Sequence, residues 1–268
     1  MKPLCKKRFL RNLRLNINSL LFKLFSNSYN LITRNKKSGG KKKNVRSYLF
    51  ILSPPFSGST VIYKLISTSP NVSTLLNNDN WVGEGQHLLE RNGILNYQEN
   101  KWDPNYNLDL NNVKKIWDKY WDLKKPILCD KSPPSICRAL KIEDFFSQYG
   151  KVYFICNIRN PYACRTDAKD WVRYARFQKE NIESLNNVLT INYEDLCDNL
   201  RENSDKIIRF LPQLKKLDIF CTSVPGLIKG RRSKPIKKVN QFKDVEEKNK
   251  VLKNHIDLMN YFGYEFIK

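Results

Sequence analysis

Four short apolar runs, at residues 48–52, 126–129, 151–156 and 188–191, recur along the chain between stretches of helical periodicity. Each run is too short for a helix, is bounded by turn residues, and lacks the alternation of a half-exposed strand. Such runs form strands buried on both faces, as in a parallel sheet covered by helices. The intervening periodicity predicts helices over 60–67, 110–121, 134–146, 162–177, 194–211 (interrupted near Asn199) and 245–262. Strand and helix in alternation define an α/β domain with a central parallel sheet flanked by helices.

At 268 residues the chain is of single-domain size, and 41% hydrophobic content excludes wholesale disorder. The formal charge of +22 calls for an anionic partner, but it is unevenly spread. Residues 1–46 hold 14 basic residues and no acid, the first acid being Asp79. This divides the chain into a basic extension over 1–46 and a domain over 47–268. Within the extension, Phe9, Leu10, Leu13, Ile17, Leu20, Leu21 and Leu24 share one helical face. Two readings are open for that amphipathic helix: reversible adsorption to an anionic membrane surface, or packing on the domain. Residues 38–43, S-G-G-K-K-K, read as a solvated linker. No apolar stretch reaches the roughly 18 residues of a membrane-spanning helix, and no secretory signal is expected.

The seven cysteines are odd in number and lack C-x-x-C spacing, which points to buried free thiols in a reducing intracellular compartment, the cytoplasm. The two histidines, His87 and His255, make no metal cluster, so no metal is expected.

The loop after the first strand reads S-P-P-F-S-G-S-T over 53–60. Gly58 permits close backbone approach to an anion. The helix start presents free N–H groups, and Ser57, Ser59 and Thr60 add hydroxyls. This is either a phosphate cradle or an ordinary strand-to-helix turn. It is not a Walker A loop, since G-x-x-x-x-G-K-[ST] is absent, which disfavours a nucleotide kinase or NTPase.

Taken together, five features resemble the sulfotransferase superfamily that uses 3′-phosphoadenosine 5′-phosphosulfate (PAPS). They are P-F-S-G-S-T at 55–60, D-K-S-P at 130–133, I-C-N-I-R-N-P at 155–161, L-T-I-N-Y-E-D-L at 189–196, and Y-F-G-Y at 261–264. The resemblance implies a P-loop-like sulfotransferase fold and transfer of a sulfuryl group from PAPS to a hydroxyl or amine by in-line displacement. It implies Ser57, Gly58, Ser59 and Thr60 on the 5′-phosphosulfate and Arg159 on the 3′-phosphate. The family's serine eight positions beyond that arginine is Asp167 here, an acid unsuited to a phosphate, so Thr166 takes the role. Arg231, in the basic segment K-G-R-R, is a further 3′-phosphate candidate. Phe56 replaces the family's usual loop lysine or arginine, and Lys131 of the D-K-S-P turn is the natural substitute cation. Glu84, in G-E-G-Q-H, is the expected general base, with His87 the alternative; Glu194 and Asp195 read as structural.

The acceptor, whether carbohydrate, tyrosyl peptide, lipid or small alcohol, is left open. The alternative is a sulfotransferase-like protein that binds the nucleotide without transferring sulfate, as Phe56 would suggest. A specific nucleic-acid partner is not expected, because the domain has no recognised reading motif.

Overall fold

The computed structural model describes residues 46–75, 83–96, 98–221, 242 and 244–268. Its core is a five-stranded, all-parallel sheet: β1 (Ser47–Leu52), β2 (Val72–Thr74), β3 (Ile127–Asp130), β4 (Lys151–Ile158) and β5 (Val188–Asn192). The spatial order is β2-β3-β1-β4-β5. β1 pairs with β3 from Ser47↔Ile127 to Phe50↔Asp130 and with β4 from Ser47↔Lys151 to Leu52↔Cys156.

Every residue of β1 is buried, because both faces of the sheet are covered. Tyr48, Phe50 and Leu52 point into a cluster with Trp117, Trp121 and Phe146. Leu49 and Ile51 point into the opposite cluster, with Ile62, Leu65 and Ile207. The period-2 alternation of a strand sends successive side chains to opposite cores, which is why β1 carries no polar face.

The helices are α1 (Ser59–Ser67), α2 (Gln86–Arg91), α3 (Leu110–Trp117), α4 (Ala139–Phe146), α5 (Ala168–Ser184), α6 (Tyr193–Asp198), α7 (Leu200–Phe210), α8 (Val245–Leu252) and α9 (Ile256–Tyr261). Four expectations are corrected. The helix expected from 134 begins as a 3-10 turn, Pro133–Arg138, before α4. The helix expected from 110 to 121 ends at Trp117. The closing helix is two helices, broken after Leu252. The helix expected from 162 starts at Ala168, capped by the Asp167 carboxylate on the Asp170 N–H. The preceding residues stay in turns because the buried Lys248 ammonium donates to the carbonyls of Pro161 and Cys164, both at 2.8 Å. β2 and α2 were not anticipated. Residues 1–45, and with them the amphipathic helix and linker expected of the basic extension, lie outside the described residues. No helix of the described residues is long and apolar enough to cross a membrane.

The connection after β1 runs to one side of the sheet and that after β4 to the other. The crevice between their carboxyl ends is therefore the topological switch point, where open α/β sheets take ligands. Two buried amides shape it. Gln178 Nε2 donates to Leu52 O (2.7 Å) and Asn157 O (2.9 Å), joining the ends of β1 and β4. Asn157 Nδ2 donates to Ser53 Oγ (2.9 Å) and Ser57 O (2.6 Å), pinning the loop beyond β1 to β4.

The Phe50 ring contacts Trp117, Phe146 and Phe154, with centroids 5.2–6.3 Å apart. Phe50→Ala is expected to lower unfolding free energy by about 3–5 kcal/mol, read by urea denaturation. A loss below about 1 kcal/mol would show that this aromatic layer does not hold the sheet.

Candidate functional site at the carboxyl edge of the sheet

The loop from Ser53 to Gly58 and the start of α1 lie at the carboxyl end of β1. Gly58 has φ of 88°, and a Cβ there would meet the Tyr193 ring carbons at 2.2 Å. Glycine is thus required twice, by backbone conformation and by the aromatic ring behind it. Phe56 also has positive φ, 61°, and its side chain is 62% exposed, turned to solvent. Ser57 is buried, its Oγ 3.8 Å from Cys164 Sγ. Ser59 is buried and Thr60 half-buried.

Arg159 follows the end of β4. Its Nη1 donates to Phe56 O at 3.2 Å, and its guanidinium lies 4.4 Å from the centre of the Tyr193 ring. Its Nε is buried without a hydrogen-bond partner among the described residues. Thr166 Oγ1 is buried with no nitrogen or oxygen partner either, beyond a weak interaction with the Cys164 thiol. Two orphaned polar atoms following one strand fit an anionic ligand, because buried donors are seldom left unmade.

Glu194 ties this region together. Oε1 accepts from the Asn160 N–H (3.0 Å) and Oε2 from the Tyr264 hydroxyl (3.0 Å), so one carboxylate joins the R-N-P, Y-E-D-L and G-Y segments. The Trp171 indole N–H donates to Arg159 O at 2.9 Å. The expected structural role of Glu194 is met by these bonds to other elements. Arg231 lies outside the described residues.

Lys131 follows β3, and its side chain is 1% exposed. Its ammonium pairs with Glu84 Oε1 at 2.5 Å and sits 3.5 Å from Thr60 Oγ1. The expected cation, base and phosphate loop therefore meet, although 47 and 71 residues separate Lys131 from the other two. Glu84 Oε2 receives the Gln86 side-chain amide and faces His87 Nε2 at 3.3 Å. Burial opposes ionisation of Glu84, but hydrogen bonding from His87 and the Lys131 charge outweigh it and hold the carboxyl at about 2. That makes a stable carboxylate and a weak base, since a general base works best near the operating pH. The Glu84 hydrogen bond raises the pKa of His87 against the effect of burial, and Glu90 adds to it.

Asp130 sets the height of this loop. Its Oδ1 accepts from the Gly85 N–H (3.0 Å) and Ser132 Oγ (3.1 Å); Oδ2 is buried without a partner among the described residues. A Cβ on Gly85 would meet Asp130 Oδ1 at 2.5 Å. Ser132 Oγ in turn accepts from the Gln86 N–H at 2.9 Å. Sequence reading missed Asp130, Asn157, Glu90 and Lys101. Asp130 and Asn157 stand inside the D-K-S-P and I-C-N-I-R-N-P segments without a role read for them, Glu90 lies three residues beyond His87 on one helix, and Lys101 has no local signal.

No family model matches the chain, and no curated protein matches it. Solved structures do. The sulfotransferase domain from the Synechococcus PCC 7002 olefin synthase is 18% identical, with a TM-score of 0.47 over 87% of this chain and 100% of that one. The sulfotransferase domain from the curacin biosynthetic pathway is 14% identical, TM-score 0.46, over 83% and 99%. A sulfotransferase from Alicyclobacillus acidocaldarius is 10% identical, TM-score 0.49, over 83% and 97%. The likenesses are modest in identity and superposition alike, and the chain's own residues are the firmer ground.

Burial pushes the Asp130 carboxyl up to about 7, against the hydrogen bonds from Ser132 and Gly85. Its folded value lies above its unfolded one, so the folded state holds the proton longer. The associated stability is full below about pH 4 and is lost as pH rises through about 7, at no more than about 1.4 kcal/mol per pH unit. Asp130→Asn keeps an acceptor for Gly85 and cannot ionise. It is expected to flatten the decline in stability between about pH 4 and 7, read by denaturation across pH. Unchanged slopes in the two proteins would refute the assignment.

Proposed function

We propose that this chain is a sulfotransferase that moves a sulfuryl group from PAPS to a hydroxyl or amine acceptor by in-line displacement. The observation that carries the reading is the junction at Lys131. Phosphate loop, D-K-S-P turn and G-E-G segment come together there as a buried cation between a loop hydroxyl and a carboxylate. Positioned charge of this kind is what group transfer from an activated anhydride requires.

In this reading Ser57, Gly58, Ser59 and Thr60 hold the 5′-phosphosulfate, with the N–H groups of the first turn of α1. Arg159 and Thr166 hold the 3′-phosphate; their unpartnered Nε and Oγ1 support this. Arg231 is proposed beside them on its sequence alone. Lys131 meets the charge growing on the leaving phosphate and the transferring oxygens, the duty for which Phe56 has no suitable group. Glu84 receives the acceptor proton. As the sulfonate draws Lys131 away, one of the influences depressing Glu84 is removed and its basicity rises. The acceptor is a carbohydrate, tyrosyl peptide, lipid or small alcohol. The free thiols Cys129, Cys137, Cys156, Cys164 and Cys197 accord with a reducing, cytoplasmic setting. The basic extension is proposed to supply any contact with an anionic membrane.

Exposed Phe56 favours one other reading, a nucleotide-binding protein of this fold that has lost transfer. Two measurements separate the possibilities. Adenosine 3′,5′-bisphosphate at a hundredfold excess over Kd is expected to stabilise the fold by about 2.7 kcal/mol. Adenosine 5′-phosphate, lacking the group for Arg159, should do much less; equal thermal shifts would remove Arg159 from the site. In single-turnover transfer, Lys131→Ala should slow sulfate transfer by roughly 10²–10³ while bisphosphate affinity changes little. Wild-type binding without transfer to any acceptor would favour the binding-only reading.

A further inference from the structure

Five side chains of alternating charge run outward from the Lys131 junction. Lys131 Nζ meets Glu84 Oε1, and Glu84 Oε2 faces His87 Nε2 at 3.3 Å. His87 Nδ1 meets Glu90 Oε2 at 2.8 Å, and Glu90 Oε1 takes Lys101 Nζ at 2.8 Å. Lys101 is 6% exposed, and its segment is anchored from behind. Arg138 donates to the carbonyls of Asn100 (2.6 Å), Lys101 (2.9 Å) and Asp103 (2.9 Å). The outer end of the chain is thus as firmly built as the inner one.

Protonated, the ring donates to both carboxylates. When it loses one proton, the shorter contact, Nδ1 to Glu90 at 2.8 Å against Nε2 to Glu84 at 3.3 Å, favours the hydrogen on Nδ1 and leaves the Nε2 lone pair toward Glu84. An imidazole between two carboxylates holds a proton more firmly than either carboxylate does, so a proton that reaches Glu84 passes on to the neutral ring.

Resting on the sulfotransferase reading, we propose that His87 is the resting place of the acceptor proton, reached through Glu84, and that Glu90 and Lys101 are positioning residues that orient and tune it. The acceptor O–H gives its proton to the Glu84 carboxylate, which hands it to His87 Nε2. The acceptor oxygen forms the new O–S bond with its lone pair. The bridging S–O bond breaks, and its electron pair leaves with adenosine 3′,5′-bisphosphate. The products are sulfated acceptor, bisphosphate and imidazolium. His87 must be neutral at the start, so activity rises with pH through the imidazole's titration. Among the described residues, the groups that act on that titration are Glu84 from the preceding loop and Glu90 from its own helix. Lys131 and Lys101 stand behind them, and Asp130 lies under Gly85.

With only two histidines in the chain, the test is an NMR titration of the His87 ring, assigned with His255→Gln. It is paired with the pH profile of single-turnover transfer from PAPS to an aliphatic alcohol or saccharide that the wild type sulfates. Glu90→Gln preserves the shape and removes a negative charge; the imidazole pKa and the acid limb should both fall by about 1 pH unit. Lys101→Met leaves Glu90 uncompensated; both should move upward. Opposite, parallel displacements are the expected result, and a merely structural role would not produce them. Imidazole values that move while the acid limb stays would overturn proton storage and leave the sulfotransferase reading intact. Imidazole values that do not move in Glu90→Gln would overturn the relay itself. A wild type without transfer at any pH would overturn the underlying reading and this proposal with it.

Discussion

An ammonium almost wholly removed from water has to find a partner charge, because desolvation of an unpaired ion costs several kcal/mol. Lys131 follows the buried strand β3 directly, so its position is set by the sheet, and the partners have to come to it. Glu84 does so from the loop before α2, and Thr60 from the first turn of α1. The buried Asp130 holds that loop from the neighbouring position, through the Gly85 N–H and the Ser132 hydroxyl. One strand end therefore determines where the acid, the cation and the phosphate loop stand relative to one another. Under the proposed function, these groups stand arranged before any ligand arrives, which is the condition under which electrostatic stabilisation is effective.

The other half of the site obeys the same logic with an amide, a carboxylate and a second buried ammonium. Asn157 fixes the loop after β1, Glu194 fixes the turn after β4 to the start of α6 and to Tyr264, and Lys248 holds the turn at Pro161 and Cys164. Each is a buried or half-buried polar side chain that hydrogen-bonds to a distant segment, Asn157 and Glu194 through one side chain and one backbone group each and Lys248 through two carbonyls. Their combined effect leaves Arg159 beside the phosphate loop with its Nε unspent. The Tyr193 ring, stacked beneath the guanidinium and against Gly58, closes the floor.

Much of this was legible in the sequence, for definite reasons. Apolar runs buried on both faces announce themselves, and β1, β3, β4 and β5 appeared within a residue or two of their bounds. Gly58 beyond an apolar strand marks a left-handed turn between β1 and α1, and the D-K-S-P and G-E-G segments point to Lys131 and Glu84, whose contact only the structure shows. What escaped depends on long-range partners. β2 is three residues with two hydroxyl side chains and exists because β3 pairs with it. The late start of α5 depends on Lys248, far along the chain. Lys101 in an irregular loop has no local signature, and its meaning comes from Glu90 at 2.8 Å.

The account stands on the carboxyl edge of β1 and β4 as a nucleotide site next to the Lys131 junction. A crystal structure with adenosine 3′,5′-bisphosphate addresses that most directly. The account predicts the 5′-phosphate against the amides of Gly58 to Thr60, within reach of Lys131, and the 3′-phosphate against Arg159 and Thr166. A nucleotide bound elsewhere, with Arg159 still turned only to Phe56 and Tyr193, would contradict it.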